Sequence, residues 1–199
     1  MRILAFSDLH RDLDQAAQLT EMATDADLVI GAGDFASVHE GLGSTIKALS
    51  SIAAPALLVP GNNETRDDLR DAATAWPSAQ VLHGDSAEID GITFFGLGGG
   101  IPTTPWDWSF DLDKDETSTK LAQMPEQTKV VILHSPPLNS CDATTAGQHL
   151  GSPELRTAIE QNQPSLVVCG HIHESWGVRD MIGGTEVVNL GPAGTFFEI

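Results

Sequence analysis

Five short apolar runs punctuate the chain, and each is followed almost at once by Asp, His or Asn. Ile3-Leu4-Ala5-Phe6 leads to Asp8-Leu9-His10, and Leu28-Val29-Ile30 to Gly33-Asp34. Ala56-Leu57-Leu58-Val59 leads to Gly61-Asn62-Asn63-Glu64, and Val130-Val131-Ile132-Leu133 to His134-Ser135-Pro136-Pro137. The fifth run, Leu166-Val167-Val168, leads to Gly170-His171-Ile172-His173. Short, continuously apolar runs read as strands buried on both faces, the condition of a parallel sheet. In such sheets functional groups gather in a crevice beyond the carboxyl ends of the strands. Asp8, His10, Asp34, Asn62, His134, His171 and His173 are therefore expected to meet.

The segments between these runs support a layered α/β fold. Leu13, Ala16, Ala17, Leu19 and Met22 share a helical face, and Ile46, Leu49 and Ile52 repeat the pattern. Thr65 to Trp76 reads as a third helix with Thr65 as its N-cap. The order βαβαβα predicts a parallel sheet with right-handed crossovers. Residues 80–83, 87–89 and 92–97 then read as short strands, split by Gly84-Asp85 and by Asp90-Gly91, a hairpin signal. Gly98 to about Asp113 is a Gly/Pro/Trp-rich loop too long for a simple connector. Residues 115–124 and 153–161 read as helices, the latter with Ser152 as N-cap and Pro153 at its first position. Residues 178–182, 186–190 and 195–199 read as closing antiparallel strands. The expected architecture is a two-sheet sandwich flanked by helices, with residues 1–199 as a single domain.

At 199 residues the chain is long enough to bury a substantial core. No apolar stretch approaches a membrane span, and Met1-Arg2 leads straight into a strand, so no signal peptide is read and a cytoplasmic location is expected. Cys141 and Cys169 are expected to be reduced thiols. The net charge is −18, from 28 acidic and 10 basic residues. Such a surface repels polyanions, which disfavours stable binding to duplex nucleic acid. The acidic balance fits either a salt-rich cytoplasm or an ordinary acidic soluble protein.

Taken singly, each motif is weak; an Asp at a strand end is usually a turn or cap residue. Seven such groups on five strand ends are different, because burying them unpaired would be costly. Asp and His together are ligands for borderline divalent metals. The ordered set D-x-H, G-D, G-N-N-E, H and G-H-x-H resembles the calcineurin-like metallophosphoesterase family over essentially the whole chain. Within that family it is similar to a small single-domain branch that includes phosphodiesterases. The resemblance implies two metal sites: Asp8, His10 and His173 on the first ion, Asn62, His134 and His171 on the second, Asp34 bridging. Two divalent ions, Mn, Fe, Zn, Co or Ni (manganese among them), roughly 3.5–4 Å apart would share a hydroxide as the nucleophile. Asp34, Asn62 and Asn63 would be the catalytic positions.

Asn63 departs from the family pattern, in which many members carry His to protonate the leaving group. A neutral amide is not a general acid near pH 7. Related enzymes without that His tend to be diesterases, which implies the same bias here toward small soluble phosphodiesters. A phosphomonoesterase on nucleotides or phosphoproteins, and a non-catalytic scaffold of the same fold, are the alternatives. His39 and His149 are the substitutes for the missing acid, though both read first as loop histidines. Trp106 and Trp108 form either a substrate wall or structural anchors. Gly61 is read as a conformational need, letting the chain turn so that Asn62 faces the metals. Glu64 and Glu174 are read as supporting carboxylates. Arg11 and Arg66 are read as surface ion-pair formers next to the motifs, with phosphate contact as the alternative. The oligomeric state is not legible.

Overall fold

The computed structural model describes all residues, 1–199. Its first half alternates without exception: β1 (Arg2–Phe6), α1 (Leu13–Met22), β2 (Leu28–Gly31), α2 (Leu42–Leu49), β3 (Ala56–Leu58), α3 (Arg66–Ala73) and β4 (Ala79–Val81). The second half adds β5 (Asp85–Ile89), β6 (Ile92–Leu97), α4 (Lys114–Leu121), β7 (Val130–Leu133), α5 (Pro153–Asn162) and β8 (Leu166–Cys169). It closes with β9 (Arg179–Ile182), β10 (Thr185–Asn189) and β11 (Thr195–Glu198).

These strands form two sheets, in the orders β11-β1-β2-β3-β4 and β5-β6-β7-β8-β10-β9. The period-2 alternation of strand side chains explains how both faces of each sheet are covered. From β1, Ile3 and Ala5 pack between the sheets with Val130, Ile132 and Val168. Leu4 and Phe6 point the other way, into a cluster with Leu19, Ile46 and Leu69 of α1, α2 and α3. From β7, Val131 and Leu133 face outward against Leu155 and Ile159 of α5. The result is helix on sheet on sheet on helix. Each fully buried Leu, Ile, Val or Phe contributes about 1.5–3 kcal/mol relative to exposure.

The caps follow the sequence. Thr65 accepts from the Asp68 N–H at 3.1 Å and Ser152 from the Leu155 N–H at 3.2 Å, each satisfying an orphan donor. Helices α3 and α4 end earlier than the apolar spacing suggests, because Trp76 and Met124 are buried from the turn beyond the last helical residue. Ile52 is likewise buried beyond the end of α2.

The second half has the expected Asp-Gly hairpin but arranges its closing strands differently from the sequence reading. Asp90-Gly91 is a hairpin turn between antiparallel β5 and β6, with φ of 50° and 77°, the left-handed pair a two-residue turn needs. Gly84-Asp85 is not: β4 pairs in parallel with β3, and the chain crosses there into the other sheet. The closing strands also diverge. β10 runs parallel to β8 and antiparallel to β9, while β11 leaves for the edge of β1. Both thiols are free and buried. No helix is long and apolar enough to cross a membrane.

Candidate metal centre

All seven predicted residues lie in the segments that follow β1, β2, β3, β7 and β8, and the fold brings them together. Donor atoms of Asp8, His10 and His173 lie within 4.8 Å of one another, as do those of Asp34, His134 and His171. Asn62 joins the second group, its Oδ1 3.2 Å from His134 Nε2 and 3.1 Å from His171 Nδ1. Asp34 reaches both groups: Oδ2 is 3.5 Å from His10 Nε2, and Oδ1 is 3.5 Å from His134 Nε2.

The backbone is bent to achieve this. Asp8, His10, Asp34 and His171 have φ of 56°, 43°, 58° and 69°, a left-handed conformation that costs a non-glycine residue on the order of 1 kcal/mol or more. Surrounding contacts hold them there. The buried Glu64 carboxylate accepts the N–H groups of Gly61 at 2.7 Å, Asp34 at 2.9 Å and Ala36 at 3.0 Å. It clamps the loop after β3 to the loop after β2. Gly61 is needed for space rather than for a left-handed turn: a Cβ there would collide with the Asp34 carboxylate. Its φ is not among the positive values.

Hydrogen bonds on the far side of the rings select the tautomers. His10 Nδ1 lies 3.2 Å from the Ala36 carbonyl, and His134 Nδ1 2.9 Å from the Ala32 carbonyl. Nδ1–H donates in each, so each Nε2 keeps its lone pair. The lone pair of His134 Nε2 then meets the Asn62 carbonyl oxygen, acceptor against acceptor. His10 Nε2 and His173 Nε2 stand 3.1 Å apart. Such pairings are repulsive unless a cation or proton lies between them. Burial, then the charge of Asp8, pushes the Asp34 carboxyl up. Burial, then Asp34, does the same to Glu64. Burial, then His134, holds His171 down at about 3, so it stays a neutral lone-pair donor. The site contains no Lys or Arg and offers a mixed N/O donor set, which fits divalent first-row metals.

Four supporting residues were not legible in advance. Trp176 donates its indole N–H to Asp8 Oδ2 at 3.1 Å and packs its ring 4.4 Å from that of His173. Ser7 donates to Asp8 Oδ2 at 2.5 Å. Ser109 accepts from Asn62 Nδ2 at 2.9 Å and donates to Asp111 at 2.6 Å, which turns the Asn62 carbonyl toward the histidines. Only Ser7 has a local signal, its place beside Asp8; the other three come from distant segments.

Asn63 is buried beside the centre. Its Nδ2 donates to Asp34 Oδ2 at 2.7 Å, and its Oδ1 accepts the Val38 N–H at 2.8 Å. His39 is exposed and bonds the Trp108 carbonyl at 2.6 Å. His149 pairs with buried Asp142 at 2.6 Å. Neither lines the central cleft, and neither do Arg11 or Arg66. That cleft, of about 700 Å³, exposes His10, Asn63, His171 and His173 on one side and Pro102, Trp106 and Trp108 on the other. Glu174 also lines it.

The calcineurin-like phosphoesterase model matches residues 1–175, and the chain belongs to that family. It is similar to two UPF0046 proteins of Caenorhabditis elegans. One is 33% identical over 107 residues, half of this chain and 25% of the relative. The other is 26% identical over 213 residues, covering 95% of this chain and 69% of the relative. The metallophosphoesterase domain-containing protein 1 of Homo sapiens is 37% identical over 91 residues, 43% of this chain and 27% of the relative. The first and third of these matches thus span about a quarter of the relative's own length. A solved Thermus thermophilus protein shares the fold with a TM-score of 0.78 at 19% identity, covering 96% of this chain and 90% of the other. An archaeal phosphodiesterase (TM-score 0.57, 22% identity, 96% and 84% covered) and a dimetal phosphatase from Danio rerio (0.66, 11%, 97% and 88%) share it too.

Proposed function

We propose that this member of the calcineurin-like phosphoesterase family hydrolyses small phosphodiesters, with Asp8, His10, Asp34, Asn62, His134, His171 and His173 holding two divalent transition-metal ions. When bound, such ions polarise a phosphoryl oxygen and lower the pKa of water, which supplies the nucleophile. The protein's part is orientation. The carbonyls of Ala32 and Ala36 fix the imidazoles, Ser109 fixes the Asn62 amide, and Trp176 and Ser7 fix Asp8. The N/O donor set supports Mn, Fe, Zn, Co or Ni over Ca.

The diester preference rests on Asn63. Both ends of its amide are engaged, with Asp34 and with the Val38 N–H. It therefore offers no proton at neutral pH to a departing alkoxide. The histidines that line the cleft, His10, His171 and His173, all belong to the donor groups. The cleft is lined by Glu174 and by no Lys or Arg, so the positive charge offered to a phosphoryl group would come from the bound ions. Fold neighbours include a phosphodiesterase and a phosphatase, so the fold itself does not choose between them. Matched aryl mono- and diesters, assayed with Mn- or Zn-loaded protein, test the reading. A higher kcat/KM for the diester is expected, and a clear monoester preference overturns it.

A further inference from the structure

The loop between β6 and α4 does more than close one side of the cleft. Trp106 and Trp108 stack on each other, ring centroids 5.5 Å apart and planes within 10°. Both line the same cavity as the candidate metal ligands, yet Trp106 keeps 50% of its surface exposed. An indole pair left this open has not been absorbed into the core, and its apolar surface is available to a ligand.

The pair is also braced. Asp111 Oδ2 accepts the Thr104 N–H at 2.6 Å and the Thr104 hydroxyl at 2.9 Å. Asp111 Oδ1 accepts from Ser109 at 2.6 Å, and Ser109 in turn accepts from Asn62 Nδ2 at 2.9 Å. On the other side His39 bonds the Trp108 carbonyl at 2.6 Å. The Trp-bearing loop is thereby tied to a candidate metal ligand, and its position relative to the reacting centre is set before substrate arrives. Preorganisation of this kind lowers the ordering cost of binding.

The charge of the cleft limits what can be bound there. No Lys or Arg lines it, Glu174 does, and the whole chain carries −18. A second phosphate or a carboxylate on the substrate would find no charged partner. An uncharged planar ring would find an indole face, where base–aromatic stacking is worth about 1–3 kcal/mol per ring.

We infer that the Trp106–Trp108 pair is a substituent subsite that takes one uncharged planar ring, aryl or nucleobase, of a phosphodiester with no further anionic group. The inference rests on the phosphodiesterase reading above and names its substrate class.

Three methyl phosphodiesters test it with Mn-loaded enzyme, followed by 31P NMR: phenyl methyl phosphate, thymidine 5′-methyl phosphate and cyclohexyl methyl phosphate. The cyclohexyl ester matches phenyl in size and apolarity but cannot stack. Trp106→Ala is expected to raise KM for the phenyl and thymidine esters about tenfold, the scale of one stack. The cyclohexyl KM should move less than about threefold, and kcat for all three should change far less than KM. Trp106→Phe should recover most of the loss. An effect on thymidine alone narrows the class to nucleobases, and an equal effect on phenyl keeps it at planar rings. Equal losses on all three esters overturn the subsite. If none is hydrolysed, the phosphodiesterase reading fails. The subsite is then judged by indole emission: saturable quenching by thymidine 5′-methyl phosphate in the wild type and not in Trp106→Ala upholds it, and no saturable quenching overturns it.

Discussion

Asn62 shows how a single amide is oriented toward a candidate metal centre. Its Nδ2 is engaged by Ser109 at 2.9 Å, so the carbonyl oxygen is the end presented to His134 and His171. Ser109→Ala removes that partner without touching a proposed ligand. Loss of such an outer contact typically costs 10–100-fold in metal affinity. Calorimetric titration of chelator-stripped protein should show one of two sites weakened by about tenfold and the other, built on Asp8, His10 and His173, unchanged. Two unaltered sites would remove Ser109 from this role. That these seven side chains converge was legible because every one of them sits within a few residues of the strand that carries it. Ser109 and Trp176 were not, because Trp176 meets Asp8 across 168 positions of sequence and no local pattern encodes that contact. Gly61 was legible as necessary, but for a different reason. The sequence suggests a special backbone angle, whereas the constraint is the Asp34 carboxylate packed against it.

Among the elements, the βαβ units were readable, since apolar runs and helical spacing are local signals. The neighbour of each strand in its sheet was not. β10 inserts between β8 and β9 because Val187 and Val188 are buried on opposite faces there, a fact of tertiary packing. Gly84-Asp85 has turn chemistry, yet β4 and β5 belong to different sheets. The crossing is marked by His83, a buried imidazole 5.4 Å from the Phe110 ring, whose Nδ1 accepts the Gly98 N–H at 3.4 Å. Burial, then the nearby Lys120, holds its pKa down at about 3, from 6.5. Between those values the unfolded chain binds a proton that the folded chain refuses, so stability falls as pH drops from about 7 toward 3. One such group contributes up to about 1.4 kcal/mol per pH unit. His83→Phe should therefore lose less stability on acidification. In chelator, the melting temperature of the variant relative to wild type should climb steadily from pH 7 to pH 4.5. Parallel curves would show that His83 does not carry this acid sensitivity.

At the scale of the whole molecule, 28 acidic and 10 basic residues leave a net charge of −18 on 199 residues. Self-repulsion of that size works against a compact state at low ionic strength. Raising KCl from about 0.1 M to 1 M shortens the Debye length from about 10 Å to about 3 Å and screens most of it. The melting temperature of metal-loaded protein should rise over that range, and a flat or falling profile would make the acidic surface incidental to stability. The cleft itself has no Lys or Arg, so positive charge for a phosphoryl group would come from the bound ions rather than from the protein. The engaged Asn63 amide and the absence of a spare imidazole in the cleft are what favour a diester in the proposed reading. The most direct test is the ratio of kcat/KM for phenyl methyl phosphate to that for phenyl phosphate, whose phenolate is a leaving group poor enough to need a proton, in wild type and in Asn63→His, both Mn-loaded. The ratio should exceed one for the wild type and fall at least tenfold when His supplies the proton. A wild-type ratio below one, or a ratio that Asn63→His leaves unchanged, would contradict the diesterase assignment.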